Sequence, residues 1–449
     1  MTSDRLQYRL SVFGWLIYDF ANTIFSMNIL TMYFAQWIIV DLGYPDIYYS
    51  IAYSVSMVAV ALTLPIIGLK SDVGGRKKKY LVIFSLSCIC TTALLGTSVL
   101  VLEDVVVLAV VGLVCLAIAN YFFEGGIVFY NALLPSVSRQ ENAGTISGLG
   151  VGIGYIGAIV GLLIVQPLTD GSISFLPSGR QMTFLPTAFL YLIFFIPTWV
   201  FLKEKRTQES AGTVRRSNIK GLISDLKEAR KYKGAFRFLI ANYFFEDAIA
   251  TLIIFMAVFA QKVMNMPDSI KVTLFIVSTI SAVIGSVIVG RVSDHFGHYR
   301  SLKAVVIGWI ILFAGVSITT NITLFWIAGS AVGVLLGSTW ALSRPILNSL
   351  VPESRLGMFY GLYAFSGKMA AIVGPLIWGL VVLWFTSAKL PGRITIDILD
   401  QIGITLSEPV LRSIEYRFAV LSLSILMLIG FLIYRKVPDR FARHRADAQ

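Results

Sequence analysis

Six ionisable side chains stand inside long apolar runs of this 449-residue chain: Asp19, Glu124, Glu246, Asp247, Arg344 and Lys368. A charge at the centre of a membrane span costs about 2.5–3.5 kcal/mol on insertion scales, so such groups face a partner or a wet cavity. Arginine and lysine bind carboxylates, arginine through paired hydrogen bonds, while acids bind ammonium groups or protons. A zwitterionic amino acid needs one of each, and four acids with two bases suit it. The three histidines, His295, His298 and His444, lie outside the apolar runs. Any proton coupling therefore falls to a carboxylate, and residue type alone does not rank the four. Asn22 and Asn131 add hydrogen-bonding capacity, and Trp340, Tyr18, Tyr121 and Tyr243 are candidate aromatic walls. The plainer alternative is structural: two acids salt-bridged to Arg344 and Lys368, fixing helix packing.

The elements that position these residues follow from composition. The chain is 56% hydrophobic and 14% charged, with mean hydropathy +0.78. A water-soluble chain of this length could not cover so much apolar surface, so part of the solvent is lipid. The pattern predicts twelve membrane helices near 14–39, 47–69, 80–102, 105–134, 144–168, 184–202, 236–260, 270–290, 302–320, 323–351, 357–385 and 417–434. The fold class is thus an all-α membrane protein. From helix rise, Glu124, Asp247 and Lys368 each fall ~16 Å from one membrane face, near the midplane, and Arg344 ~12 Å.

The net charge of +12 does not signal nucleic acid. Of 37 Lys and Arg, 28 fall on the side that holds both termini, 7 on the other, and two within spans. That bias puts both termini in the cytoplasm. The first apolar stretch is long enough to remain as a span, and the polar Met1–Ser11 does not resemble a cleaved leader. Cys88, Cys90 and Cys115 sit in apolar runs and read as buried thiols, so neither metal nor cofactor is expected.

One loop occurs twice. Gly68, Asp72, Gly75 and Arg76 share the spacing G-x-x-x-D-x-x-G-[basic] with Gly290, Asp294, Gly297 and His298. Each copy reads as a tight cytoplasmic turn whose Asp serves a helix N-terminus, with a gating role. The duplication continues: Asn131-Ala-Leu-Leu-Pro135 reappears as Asn348-Ser-Leu-Val-Pro352, Gly144-x-x-x-Gly148 as Gly357-x-x-x-Gly361, Ala158-Ile-Val-Gly161 as Ala371-Ile-Val-Gly374, and Phe34-Ala-Gln36 as Phe259-Ala-Gln261. Two parallel six-helix halves follow, 1–202 and 236–449. They are joined by a charged linker, 203–235, whose residues Ile219 to Lys233 have the spacing of a surface amphipathic helix. A fainter echo relates Ala119-Asn-Tyr-Phe-Phe-Glu124 to Ala241-Asn-Tyr-Phe-Phe-Glu246. The external segment 386–416 carries Asp397, Asp400 and Glu408 with no readable role. The glycines from Gly144 to Gly161 have small-x3-small spacing for close helix packing. They lack the preceding strand and the Lys-Ser/Thr of a nucleotide loop.

Twelve spans in two parallel halves, with the paired loops, resemble the major facilitator superfamily. Within it, Tyr18-Asp-Phe-Ala-Asn22, Tyr130-Asn-Ala-Leu-Leu-Pro135, Ala341-Leu-Ser-Arg344 and Gly361-Leu-Tyr-x3-Gly367-Lys368-x5-Gly374-Pro375 resemble the branch named for the fungal autophagy-related vacuolar amino-acid effluxer. Lys70 stands where members carry an apolar residue, and His298 where they carry Arg. The resemblance implies a secondary transporter working by alternating access, with helices 1, 4, 7 and 10 around a central cavity. By analogy it implies amino-acid export, with a small-molecule substrate, the bilayer and protons as partners, and a monomer as the unit. The runner-up is a carrier of an amphipathic substrate such as a lysolipid or drug. An enzyme is not expected, since no H-E-x-x-H, G-x-S-x-G or P-loop occurs. The plasma membrane is the default location, no organellar address being legible.

Overall fold

The computed structural model describes residues 2–74, 76–138, 143–172, 177–204, 226–352, 355–386, 411 and 413–439. Among them are twelve helices long and apolar enough to cross a membrane, and no strand. Helix α1 (Thr2–Phe25) continues through π-helical turns at Ser26–Tyr33 and Trp37–Asp41. There follow α2 (Asp46–Gly74), α3 (Lys77–Val101), α4 (Val105–Ala132), α5 (Ala143–Val165), α6 (Phe184–Phe201), α7 (Lys233–Met264), α8 (Asp268–Phe296), α9 (His298–Ile318), α10 (Ile322–Leu350), α11 (Leu356–Thr386) and α12 (Ile414–Tyr434). Between the two π-helical stretches, in the α-helical turn Phe34–Gln36, the side-chain amide of Gln36 donates back to the Met32 carbonyl of the first.

Contacts divide the chain into two compact units, Met1–Tyr44 with Val55–Gly221 and Pro45–Ser54 with Leu222–Gln449. In the first, α1 packs on α5 and α6, and α3 on α4 and α6. In the second, α7 packs on α11 and α12, and α9 on α10 and α12, the same scheme six helices later. The helix starts repeat as well. Asp104 accepts from the Val106 and Val107 amides to cap α4, and Asn321 from those of Thr323 and Leu324 to cap α10. Each satisfies amides that have no partner within their own helix.

Glycines set the close crossings. A Cβ on Gly157 would lie 2.3 Å from the Phe20 carbonyl oxygen, so α5 meets α1 backbone to backbone. Gly333 and Gly337 do the same for α10 against α8, where a Cβ would lie 2.0 Å from the Ser278 oxygen and 2.1 Å from that of Ala282. Gly148 and Gly152 have nothing within 4 Å, so only one face of the glycine run packs.

The repeated loops differ from expectation. Gly68 and Gly290 lie within α2 and α8, not in turns. Helix continues to Gly74 in the first copy and Phe296 in the second, where Gly297, at φ +91°, has the backbone of a sharp turn. No side chain caps α9 at Gly297, so Asp294, which is exposed, does not serve that N-terminus. The Asp72 side chain and Gly75 lie outside the described residues. In the first copy another group serves the following helix, and in the second the motif's own serine ties the turn without capping α9. Glu204, after α6, accepts from the amides of Lys77 at 2.9 Å and Lys78 at 3.0 Å. In the second copy Ser293 Oγ bridges the Gly290 carbonyl and His298 Nδ1. Residues 219–225 of the expected amphipathic helix, and 387–410 of the external segment with Asp397, Asp400 and Glu408, lie outside the described residues; of the remainder, 226–229 are helical and 230–232 form a turn, so the helix does not run on to Lys233.

Candidate functional site

In the first unit the polar centre forms on α1. Tyr18 is fully buried, Asn22 buried and Asp19 half-buried. The Tyr130 ring of α4 stacks between Trp15, at 4.3 Å, and Tyr18, at 4.7 Å, which fixes both aromatic walls. Ser85 Oγ donates to the Tyr18 hydroxyl (3.3 Å), and the Tyr191 hydroxyl donates to Asn22 Oδ1 (3.4 Å). Asp19 is reached because α5 carries glycine opposite it: a Cβ on Gly150 would lie 2.9 Å from the Tyr130 hydroxyl and 3.3 Å from Asp19 Oδ2. The result is one carboxylate, partly accessible, at the rim of a rigid aromatic stack.

The second unit gathers more of the expected residues. Trp340 Nε1, on α10, donates to Glu246 Oε2, on α7, at 3.2 Å. Arg344 lies four residues beyond Trp340, one turn on, so the two share a face of α10. Both are exposed to the surroundings of the chain. Tyr363 of α11 lies within electrostatic reach of both Glu246 and Arg344, beside Asn242 and Ser343. An acid on α7 and a base on α10 thus both act electrostatically on one phenol of α11. Ser343 Oγ in turn donates to Asn242 Oδ1 at 3.3 Å.

Neighbours in sequence part company here. Asp247, one residue after Glu246, is wholly buried and accepts the Gly374 backbone N–H of α11 at 2.7 Å through Oδ1. Successive helix positions diverge by about 100° in azimuth, which sends one acid toward α10 and the next toward α11.

Glu124 is buried on α4, Lys368 half-buried on α11, and Asn131 exposed at the last turn of α4. Asn131 therefore stands about 10 Å along the helix from Glu124.

Three buried ionisable residues were not legible as such. Asp46, 2% exposed, accepts from Trp378 Nε1 (3.1 Å) and the Tyr416 hydroxyl (3.2 Å). Lys271 binds Asp268 at 2.6 Å and Gln261 Oε1 at 2.8 Å. Arg417 donates to the carbonyls of Ser317 (3.1 Å) and Thr319 (2.8 Å), closing the C-terminal end of α9. All three stand at the ends of apolar runs, where hydropathy reads a charge as solvated. The one available signal is the three-residue spacing of Asp268 and Lys271 beside the repeated Phe-Ala-Gln261.

A family model described as "Vacuole effluxer Atg22 like" matches residues 47–383. YxiO, an uncharacterized MFS-type transporter of Bacillus subtilis, is 26% identical over 439 residues, covering 95% of this chain and 94% of its own. Autophagy-related protein 22 of Kluyveromyces lactis is 25% identical over 278 residues, 57% of this chain and 56% of its own. Among solved structures, a bacterial homolog of the human lysosomal transporter Spinster, inward-facing and unoccupied, superposes with TM-score 0.70 at 12% identity, covering 96% of each chain. The nucleoside transporter NupG gives 0.64 at 15% identity, covering 96% of this chain and 98% of its own.

Proposed function

Since this chain belongs to the Atg22-like vacuole effluxer family and is a secondary transporter of the major facilitator type, we propose that it exports amino acids or similar small zwitterions by alternating access, coupled to protons. The observation that carries this reading is the acid–phenol–base arrangement of Glu246, Tyr363 and Arg344, with Trp340 orienting the acid. Arg344 takes the substrate carboxylate as a planar fork, and Glu246 takes its ammonium group. In the first unit, taken by itself, Asp19 at the rim of the Trp15–Tyr130–Tyr18 stack is proposed as an ammonium or proton acceptor, with Asn22 one turn on along α1. Glu124, Asn131 and Lys368 belong to the same proposed set on the strength of their spans. Gly68, Asp72, Gly75, Arg76, Gly290, Asp294 and Gly297 are proposed as gating positions, and 1–202, 203–235 and 236–449 as the two halves and their linker. The protein is proposed to work as a monomer in the plasma membrane with both termini cytoplasmic; the distribution of cations supports that orientation.

The test is substrate exchange in liposomes holding the purified protein. A panel contains neutral amino acids, the amines left by removing their carboxyl groups, the acids left by removing their amino groups, and lysolipids. Exchange of the intact zwitterions, with both truncated sets at least about tenfold slower, is the expected result. Movement of lysolipids alone would replace this reading with that of an amphiphile carrier.

A further inference from the structure

Asp247 is the most enclosed acid among the described residues of the second unit, and its two oxygens are treated differently. Oδ1 accepts the Gly374 amide, while Oδ2 is buried and, among the described residues, has no hydrogen-bond donor. No ion pair reaches this carboxylate among the described residues. Gly374 is required for the contact: a Cβ there would lie 2.1 Å from Thr251 Oγ1 and 2.8 Å from Asp247 Oδ1. The next residue, Pro375, has no N–H, so the Ala371 carbonyl lacks its α-helical donor. At this turn α11 has one backbone donor missing and the preceding one drawn toward α7.

We propose that Asp247 is the residue that takes up and releases a proton as this carrier cycles, and that its charge sets how firmly α11 is held at Gly374. The inference rests on the transporter reading but not on the choice of substrate. An amide donates more strongly to a carboxylate than to a carboxylic acid. With Asp247 charged, α11 is drawn to α7 at its weakest turn. When a proton from water adds to Oδ2, the bond from Gly374 weakens and the turn is released. Glu246 and Asp19 suit this task less, the first because its Oε2 is already held by the Trp340 N–H, the second because it is half-open beside glycines.

The helices packed against α7 carry these titratable and charged groups: Tyr360, Tyr363 and Lys368 on α11, Arg344 on α10, and Glu415, Tyr416, Arg417 and Tyr434 on α12, with Tyr243 and Glu246 near Asp247 on α7 itself. Of these, Tyr243 interacts electrostatically with Asp247. Glu415 stands at the far end of α12, and three others are engaged elsewhere: Tyr416 with Asp46, Arg417 with carbonyls of α9 and its following turn, and Tyr434 with the Tyr299 carbonyl.

The experiment is hydrogen–deuterium exchange on the whole protein in detergent, corrected for the intrinsic pH dependence of exchange, across about pH 5 to about pH 8. No substrate is present, so failure here is separable from failure of the amino-acid reading. In the wild type, peptides spanning residues 370–378 are expected to lose protection by about tenfold on the acid side. Asp247→Asn, which keeps an oxygen for the Gly374 amide but no charge, is expected to show the acid-side protection at every pH. Glu246→Gln is expected to follow the wild type. A wild-type profile flat in pH would overturn the proposal, as would a pH response in Asp247→Asn equal to that of the wild type. A response abolished by Glu246→Gln but kept by Asp247→Asn would move the proton to Glu246 and equally sink it.

Discussion

Trp340 is the residue on which the proposed site turns, because its indole N–H donates to Glu246. Trp340→Phe keeps the ring and loses that donor. A hydrogen bond to a charged group contributes about 1.5–3 kcal/mol, so substrate affinity should fall at least about tenfold while thermal stability holds. Binding by calorimetry and a melting curve together check it; equal affinity would remove Trp340 from the site. Asp46 makes the opposite case. Its carboxylate is shared by Trp378 and Tyr416 inside the second unit, so Asp46→Ala strands two buried donors. The expected loss is about 2–4 kcal/mol of stability, whereas Asp46→Asn, which retains one acceptor, should lose about half as much. Six midspan charges were plain from the sequence because each interrupts an apolar run. Asp46, Lys271 and Arg417 were not, because burial at the end of a run depends on which helix arrives there.

At the scale of elements, the glycines give a paired prediction. Gly337→Ala drives a methyl group into the backbone of α8, where the Ala282 oxygen would lie 2.1 Å away. Overpacking of this kind costs about 1–3 kcal/mol. Gly152→Ala, on the same type of helix with nothing within 4 Å, should instead stabilise by up to about 1 kcal/mol through helix propensity. Melting temperatures moving in opposite directions would bear this out; two equal shifts would mean that the close crossing is not rigid. The run from Gly144 to Gly161 was legible as a packing motif from spacing alone. Which of its faces packs was not, since Gly150, Gly154, Gly157 and Gly161 meet α1 while Gly148 and Gly152 stand open. The turns were the weakest part of the reading. A G-x-x-x-D-x-x-G sequence has the composition of a loop, yet helix runs through all but its last residue in both copies because the flanking apolar residues continue the helical period.

For the whole molecule, duplication was the most legible property. Matching motifs at nearly constant offsets anticipated a packing scheme that repeats, down to Asp104 and Asn321 capping equivalent helices. Orientation rests on counted cations and yields its own test. In a variant whose three native cysteines are replaced, single cysteines at Ser3 and Lys436 should react with an impermeant reagent only after the membrane is opened, and one at Ser172 in intact cells. Labelling of Ser3 from outside would reverse the proposed topology. Expressing the first six spans alone asks how far they fold by themselves, although Pro45–Ser54 at the start of α2 clusters with the second unit.

Glu204 decides where such a division can be made. The carboxylate that fastens the start of α3 comes from just beyond α6, so the first group does not end where its last span ends. Asp439, beyond α12, reaches back to Arg300 on α9 in a corresponding way. A split gene encoding residues 1–202 would deliver a fragment missing its own fastener, and one encoding 1–204 would retain it. Two added codons should therefore separate a fragment that accumulates in the membrane from one that is cleared by proteases.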